Sequence, residues 1–205
     1  MLRPATRADV PVLARLLVQL YHAELPDTLR GPTEGQHALL AYTLERGSAS
    51  LFRRYIVIDQ HNTPLATASL RLARDRVVSA APPGTMHQAF RHLGAGNALR
   101  LFALLFSSAL TPDIALPPDG AYLHSVVVDQ EQRGHGIGAW LVGAVEQLAR
   151  AEGARTLQLR VVVGNNIARR LYERLGYQAV SRTSPLISTV AVATDLMVRS
   201  IAPPA

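Results

Sequence analysis

Six consecutive residues, Arg133-Gly134-His135-Gly136-Ile137-Gly138, stand where the apolar run Val126-Val127-Val128 hands the chain to an amphipathic segment. Glycines there let backbone approach an anion closely. The unpaired N–H groups and positive dipole end of a following helix favour a phosphate or pyrophosphate at that point. Two familiar phosphate motifs do not fit. A Walker loop needs a lysine after its last glycine, and this chain contains none. The six-residue three-glycine dinucleotide pattern can be started at no glycine here, and its fold would open with the turn instead of reaching it past the middle of the chain. Taken alone, the turn also admits a plain structural strand-to-helix corner.

Side chains able to move protons lie on both sides of this turn. His124 precedes it on the same apolar strand, where strict alternation turns it to the same face as Tyr122 and Val126, and its intrinsic pKa lies near neutrality. A lone strand histidine can equally be structural. Glu24 follows the first amphipathic segment. Tyr172 shares a helical apolar face with Leu171 and Leu175, so packing is an alternative to chemistry for it.

The elements that must position these residues can be read from periodicity and breakers. Leu2 to Ala5 reads as a short strand, and Thr6 caps a helix with Val10, Leu13, Leu16, Leu17 and Leu20 on one face. Pro26, Gly31, Pro32 and Gly35 break it, a weaker helix covers Gln36 to Arg46, and Tyr55–Ile58 with Pro64–Leu72 forms a hairpin around Asp59–Asn62. Residues of about 75–120 form a helical insertion from Met86 to Leu110, divided at Gly94-Ala95-Gly96. Its apolar face of Leu99, Phe102, Leu105 and Phe106 serves either as extra core or as a lid. Then come a strand from Ala121 to Val128, a helix from Gly136 to Glu152, a strand from Leu157 to Val163 and a helix from Asn165 to Leu175. Strands over Gln178–Arg182 and Thr189–Val198 complete a mixed α/β sheet of six or seven strands with helices on both sides, in one domain over residues 1–205.

Composition narrows the function classes. There is no cysteine, which removes disulfides, thiolate metal sites and a cysteine nucleophile; no metal is expected. The formal charge is +6 and all 21 basic residues are arginine, a surface that attracts anions. The arginines are dispersed, without an arginine-rich helix or an aromatic stacking strand, so no nucleic acid is expected. The N-terminus has no apolar signal core, and Ala98–Leu110 is short and interrupted by Arg100, so a cytoplasmic location without membrane contact is expected.

Arg133-x-x-Gly136-x-Gly138 resembles the acetyl-CoA loop of the GCN5-related N-acetyltransferase (GNAT) superfamily. Val126-Val127-Val128-Asp129 is similar to its fourth strand, Asn165-x-x-Ala168-x-x-Leu171-Tyr172-Glu173-x-Leu175-Gly176-Tyr177 to its late helix, and Leu2-Arg3-Pro4-Ala5-Thr6 to its start. The resemblance implies a GNAT fold with a helical insertion between the third and fourth strands. It also implies acetyl transfer from acetyl-CoA to a primary amine, or else an idle module that only binds acyl-CoA. On this likeness the fourth and fifth strands splay and the pantetheine arm pairs with backbone of Val126 and Val128. Pyrophosphate rests on the amides of Arg133, Gly134, His135, Gly136, Ile137 and Gly138, with the Arg133 side chain as a further phosphate partner. Tyr172 is implied as the acid that protonates the leaving thiolate, and Asn165 as a contact to the cofactor arm, unless it is simply an N-cap. His124 or Glu24 is the general base, unless water serves. Ribosomal-protein N-terminal acetyltransferases carry a fifth-strand glutamate where this chain has Arg160, which speaks against that acceptor. A homodimer through Thr189–Val198 is a further implication.

Overall fold

The computed structural model describes residues 1–25, 28–47, 49–75, 81–109, 115–183 and 192–202, the side chains at 104 and 106–109 excepted. The expected strand start at Thr189, the helix end at Leu110 and the Phe106 side chain lie outside the described residues. Strand β1 (Leu2–Pro4) leads into a turn organised by Asp9, whose carboxylate accepts from the Thr6 N–H at 2.8 Å, the Thr6 hydroxyl at 2.9 Å and both terminal nitrogens of Arg3. That capping arrangement launches α1 (Val10–Glu24), which buries Val10, Leu13, Leu16 and Leu17 as the periodicity requires.

Helix α2 (Thr33–Arg46) begins earlier than expected and takes Gly35 into its first turn. Gly35 is a point of close approach to α3 (Thr85–Leu93), not a breaker: a Cβ there would lie 2.2 Å from the His92 carbonyl oxygen. Gly35→Ala is therefore expected to lower stability by about 1–3 kcal/mol through overpacking. Urea unfolding checks this, and an unchanged midpoint would mean that α2 and α3 separate freely.

Helix α4 (Ala95–Ala109) follows α3 across Gly94, close to the expected division. Its buried face differs from the expected one. Ala98 and Leu101 are buried with Phe102 packed beside them, whereas Leu99 is 61% exposed and Leu105 also faces outward. Packing into the cluster shared with α3, not apolarity alone, selected the face.

Strands β2 (Arg54–Ile58) and β3 (Pro64–Leu72) form the expected hairpin. With β4 (Gly120–Val128), β5 (Thr156–Val162), β6 (Gln178–Arg182) and β7 (Thr194–Ser200) the described residues make a seven-stranded sheet in the order β1-β2-β3-β4-β5-β7-β6. The β4–β5 pair is parallel and the other neighbours are antiparallel. Among the described residues β7 lies between β5 and β6, and the edges of the sheet are β1 and β6.

Helices α5 (Ile137–Ala151) and α6 (Asn166–Arg174) flank one face, where Leu123, Leu141, Val145, Leu159 and Met197 pack together. The opposite face carries Ile56 and Ile58 against α1 to α4. Each such fully buried aliphatic side chain contributes on the order of 1.5–3 kcal/mol. Among the described residues no helix is long and apolar enough to cross a membrane.

Candidate active site

The parallel strands β4 and β5 pair only from Gly120 opposite Thr156 to Leu123 opposite Leu159. β4 then runs on to Val128 along β3, and β5 runs on to Val162 along β7, with no further pairing between them. A fork opens in the middle of the sheet. The Asp129 N–H donates to the Leu65 carbonyl on the β3 side at 2.9 Å, so alternation points the backbone groups of Val128 and Val126 into the fork. Backbone groups without a strand partner at such a place require another partner.

Ser125 adopts φ +51, and the β3–β4 register shifts between Thr67 and Ser69. This bulge resets the alternation. Tyr122 and His124 stay on the α1 side, whereas Val126 and Val128 pack against the α5 core. The expectation that His124 and Val126 share a face is thereby corrected, since strict alternation cannot anticipate an extra residue.

At the open end of the fork the chain turns through Arg133–Gly138. Asp129 starts the turn, accepting from Arg15 of α1 at 3.0 Å, while the Gln130 N–H donates to Gln19 at 2.9 Å. Gly134 and Gly136 have φ +84 and +79, a region that glycine enters without penalty, and a Cβ at either would meet nothing within 4 Å. The Trp140 N–H returns to the Gly136 carbonyl at 3.0 Å, so the N–H groups of Ile137, Gly138 and Ala139 start α5 without an intrahelical acceptor. No acidic side chain stands in that first turn. Open space, bare amides and a helix dipole together fit a pyrophosphate. A Cβ on Gly138 would press on Leu171 at 3.3 Å, so this glycine keeps α5 close to α6. Arg133 donates from Nε to the Val128 carbonyl at 3.2 Å, His135 lies 3.3 Å from the Gln132 carbonyl, and Ile137 packs on the core.

Helix α6 puts Tyr172 in the core against which Val126 and Val128 pack, within electrostatic reach of Tyr122 on β4. Asn165 caps it, its Oδ1 accepting from the Ala168 N–H at 3.2 Å, so the capping role is the one observed. The helix closes in a paired-bond turn at Gly176, with the Tyr177 N–H on the Tyr172 carbonyl and the Gly176 N–H on the Glu173 carbonyl. The same turn sets the two tyrosine rings edge to face at 5.8 Å. Arg169 pairs with Asp195 of β7, which Arg182 of β6 also holds, tying α6 to the sheet. Tyr177 donates to the buried Glu146 at 2.9 Å, and Arg199 binds the same carboxylate. The Tyr172 hydroxyl has no hydrogen-bond partner among the described residues. Burial first, then the nearby Glu24 and Tyr122, push its pKa well above the ordinary phenol value.

His124 stacks on Tyr122 at 5.5 Å and contacts the Ser125 hydroxyl at 3.2 Å. Burial, assisted by Arg54 and Arg71, pushes its pKa down to about 4. Burial lifts Glu24, at the end of α1, to about 7. Arg54, Ser69 and His124 lie opposite one another on β2, β3 and β4, so their side chains share a face, and Arg71 beside them lies over the Tyr122 ring at 5.4 Å. Nothing in the sequence marks Arg54 or Arg71 among 21 basic residues, and only the register brings them to His124. Among the described residues no three His, Asp or Glu side chains are placed to hold a metal.

The family model "Acetyltransferase (GNAT) family" matches residues 17–177. The N-acetyltransferase YycN of Bacillus subtilis (strain 168) is 36% identical over 62 residues, which is 30% of this chain and 40% of that relative, so the match spans less than half of its length. A solved acetyltransferase structure superposes with TM-score 0.64 at 25% identity, covering 98% of this chain and all of that one. An acetyltransferase from Salmonella typhimurium, solved with its cofactor acetyl-CoA, superposes with TM-score 0.55 at 13% identity over 100% of this chain and 95% of its own.

Proposed function

Because the chain belongs to the GNAT acetyltransferase family, we propose that it transfers the acetyl group of acetyl-CoA to a primary amine. The observation that carries this reading is the fork that opens between β4 and β5 beyond Leu123, with the bare amides of the turn at Gly136 beyond its open end. Acetyl-CoA supplies an activated thioester; the chain binds and orients it and handles the protons. The amides of Arg133 to Gly138 hold the pyrophosphate, and the backbone of Val126, Val127 and Val128 lines the fork for the pantetheine arm, with Val126 and Val128 turned inward. The Asn165 amide nitrogen, left over after its oxygen caps α6, is the donor it would offer to the arm. The Arg133 side chain must leave the Val128 carbonyl to reach a phosphate. The Val126 N–H, turned into the fork, would be the donor for the developing oxyanion. Tyr172 donates to the leaving thiolate.

The amine must lose a proton first. An alkylamine with a pKa of about 10.4 is neutral only about once in 2,500 molecules at pH 7, a cost of roughly 4.6 kcal/mol that a base offsets. Glu24, with its pKa near 7, is matched to that task. His124, neutral but weakly basic, is the second candidate and otherwise orients the amine.

The two bases separate in a pH–rate profile. A base must be deprotonated to act, so activity rises with pH through its own pKa. Glu24 predicts an acidic limb of kcat/KM near pH 7 that disappears in Glu24→Gln, leaving only the limb set by the amine itself. A limb near pH 4 that disappears in His124→Ala transfers the role to the histidine. The reading as a whole is tested by thiol release from acetyl-CoA with a panel of primary amines; tight acetyl-CoA binding without release from any amine would leave only a binding module.

A further inference from the structure

Arg54 is 7% exposed, yet no carboxylate of the described residues lies within ion-pair distance of it. Its Nε donates to the Ser50 carbonyl at 3.0 Å, and its buried Nη1 has no partner. Beside it in the cross-strand row, the buried Ser69 hydroxyl is unpartnered too, and the row ends at His124. Gln158 of β5, opposite Tyr122 on the same face, presents a buried unpartnered Oε1. Burial lowers the Arg54 pKa only to about 10, so the guanidinium stays charged at neutral pH. A buried, uncompensated cation is costly to a fold and is retained where a ligand supplies the missing charge.

Resting on the acetyltransferase reading, we infer that the acceptor amine carries a carboxylate, which Arg54 and Ser69 bind so that the amine lies against His124 and Glu24. The Arg54 guanidinium matches a single negative charge, and its planar fork fits the two oxygens of a carboxylate. The row from Arg54 to His124 crosses two strand spacings, roughly 10 Å between Cα atoms. Compact amino acids span that row once both side chains lean inward.

The experiment compares thiol release from acetyl-CoA with glycine and the L-amino acids that carry a primary α-amine and with their carboxamides, at equal concentration, alongside melting temperatures with each compound. The expected result is a preference for the free acids of about 10- to 150-fold in kcat/KM reckoned on the neutral-amine fraction of each compound, the worth of one charge-assisted hydrogen-bond pair. Arg54→Met should abolish that preference while leaving the melting temperature of the ligand-free protein unchanged or raised. Ser69→Ala, which removes one hydroxyl and leaves the Ser50 contact intact, should reduce the preference several-fold and guards against a misfolded arginine variant. Equal use of acids and amides, or a preference that survives both substitutions, overturns the inference and leaves the acetyltransferase reading standing. Absence of release with every amine, together with no acid-dependent rise in melting temperature, overturns it as well; absence of acetyl-CoA binding would instead remove the reading on which it rests.

Discussion

Tyr172→Phe is expected to lower turnover by about 100-fold or more, the usual contribution of a positioned proton donor, while acetyl-CoA affinity stays the same. The substitution removes one oxygen and keeps the ring, so the edge-to-face contact with Tyr177 at 5.8 Å and the closing turn of α6 survive. Two features make the hydroxyl available. It has no hydrogen-bond partner among the described residues, and burial raises its pKa, so it holds its proton throughout the working range. Its role therefore adds no basic limb to the rate profile below pH 10. Comparison of kcat with the dissociation constant of acetyl-CoA separates the two functions of the residue. Equal turnover would return Tyr172 to packing alone.

Gly136→Val should cost acetyl-CoA binding its phosphate anchor. Loss of two hydrogen bonds from amides to a charged group, at about 1.5 kcal/mol each or more, corresponds to a factor of about 100 in affinity. The Cβ projects into the open space in front of the amides, and the backbone at φ +79 resists a branched side chain. Gly153→Val controls for strain alone. It sits beyond the far end of α5 at φ +88, a Cβ there meets nothing within 4 Å, and its substitution should leave affinity intact. Equal losses in both variants would assign the effect to backbone strain.

Much of this architecture was legible in the chain. The apolar period of Leu141, Val145 and Leu148 and the terminating glycines fixed α5 and α6 to within a residue or two, because local pattern and capping agree there. The turn at Arg133–Gly138 was legible for the same reason: its glycines are backbone requirements written into residue type. Four things were not. Gly35 looks like a breaker in sequence, since nothing local announces that α3 passes 2.2 Å from where a Cβ would sit. The Ser125 bulge leaves no glycine behind, so alternation carried one residue too far and put Val126 on the wrong face. Arg54 came to His124 only through the register of three strands, a long-range pairing that composition cannot show. Glu146 on the apolar face of α5 was likewise passed over, because its partners Tyr177 and Arg199 come from distant segments.

Calorimetric titration of the purified protein with acetyl-CoA tests the central claim most directly, because it needs no knowledge of the acceptor. The account predicts saturable one-to-one binding at micromolar strength. Absence of binding, with no CoA found in denatured extracts of the protein, would contradict it.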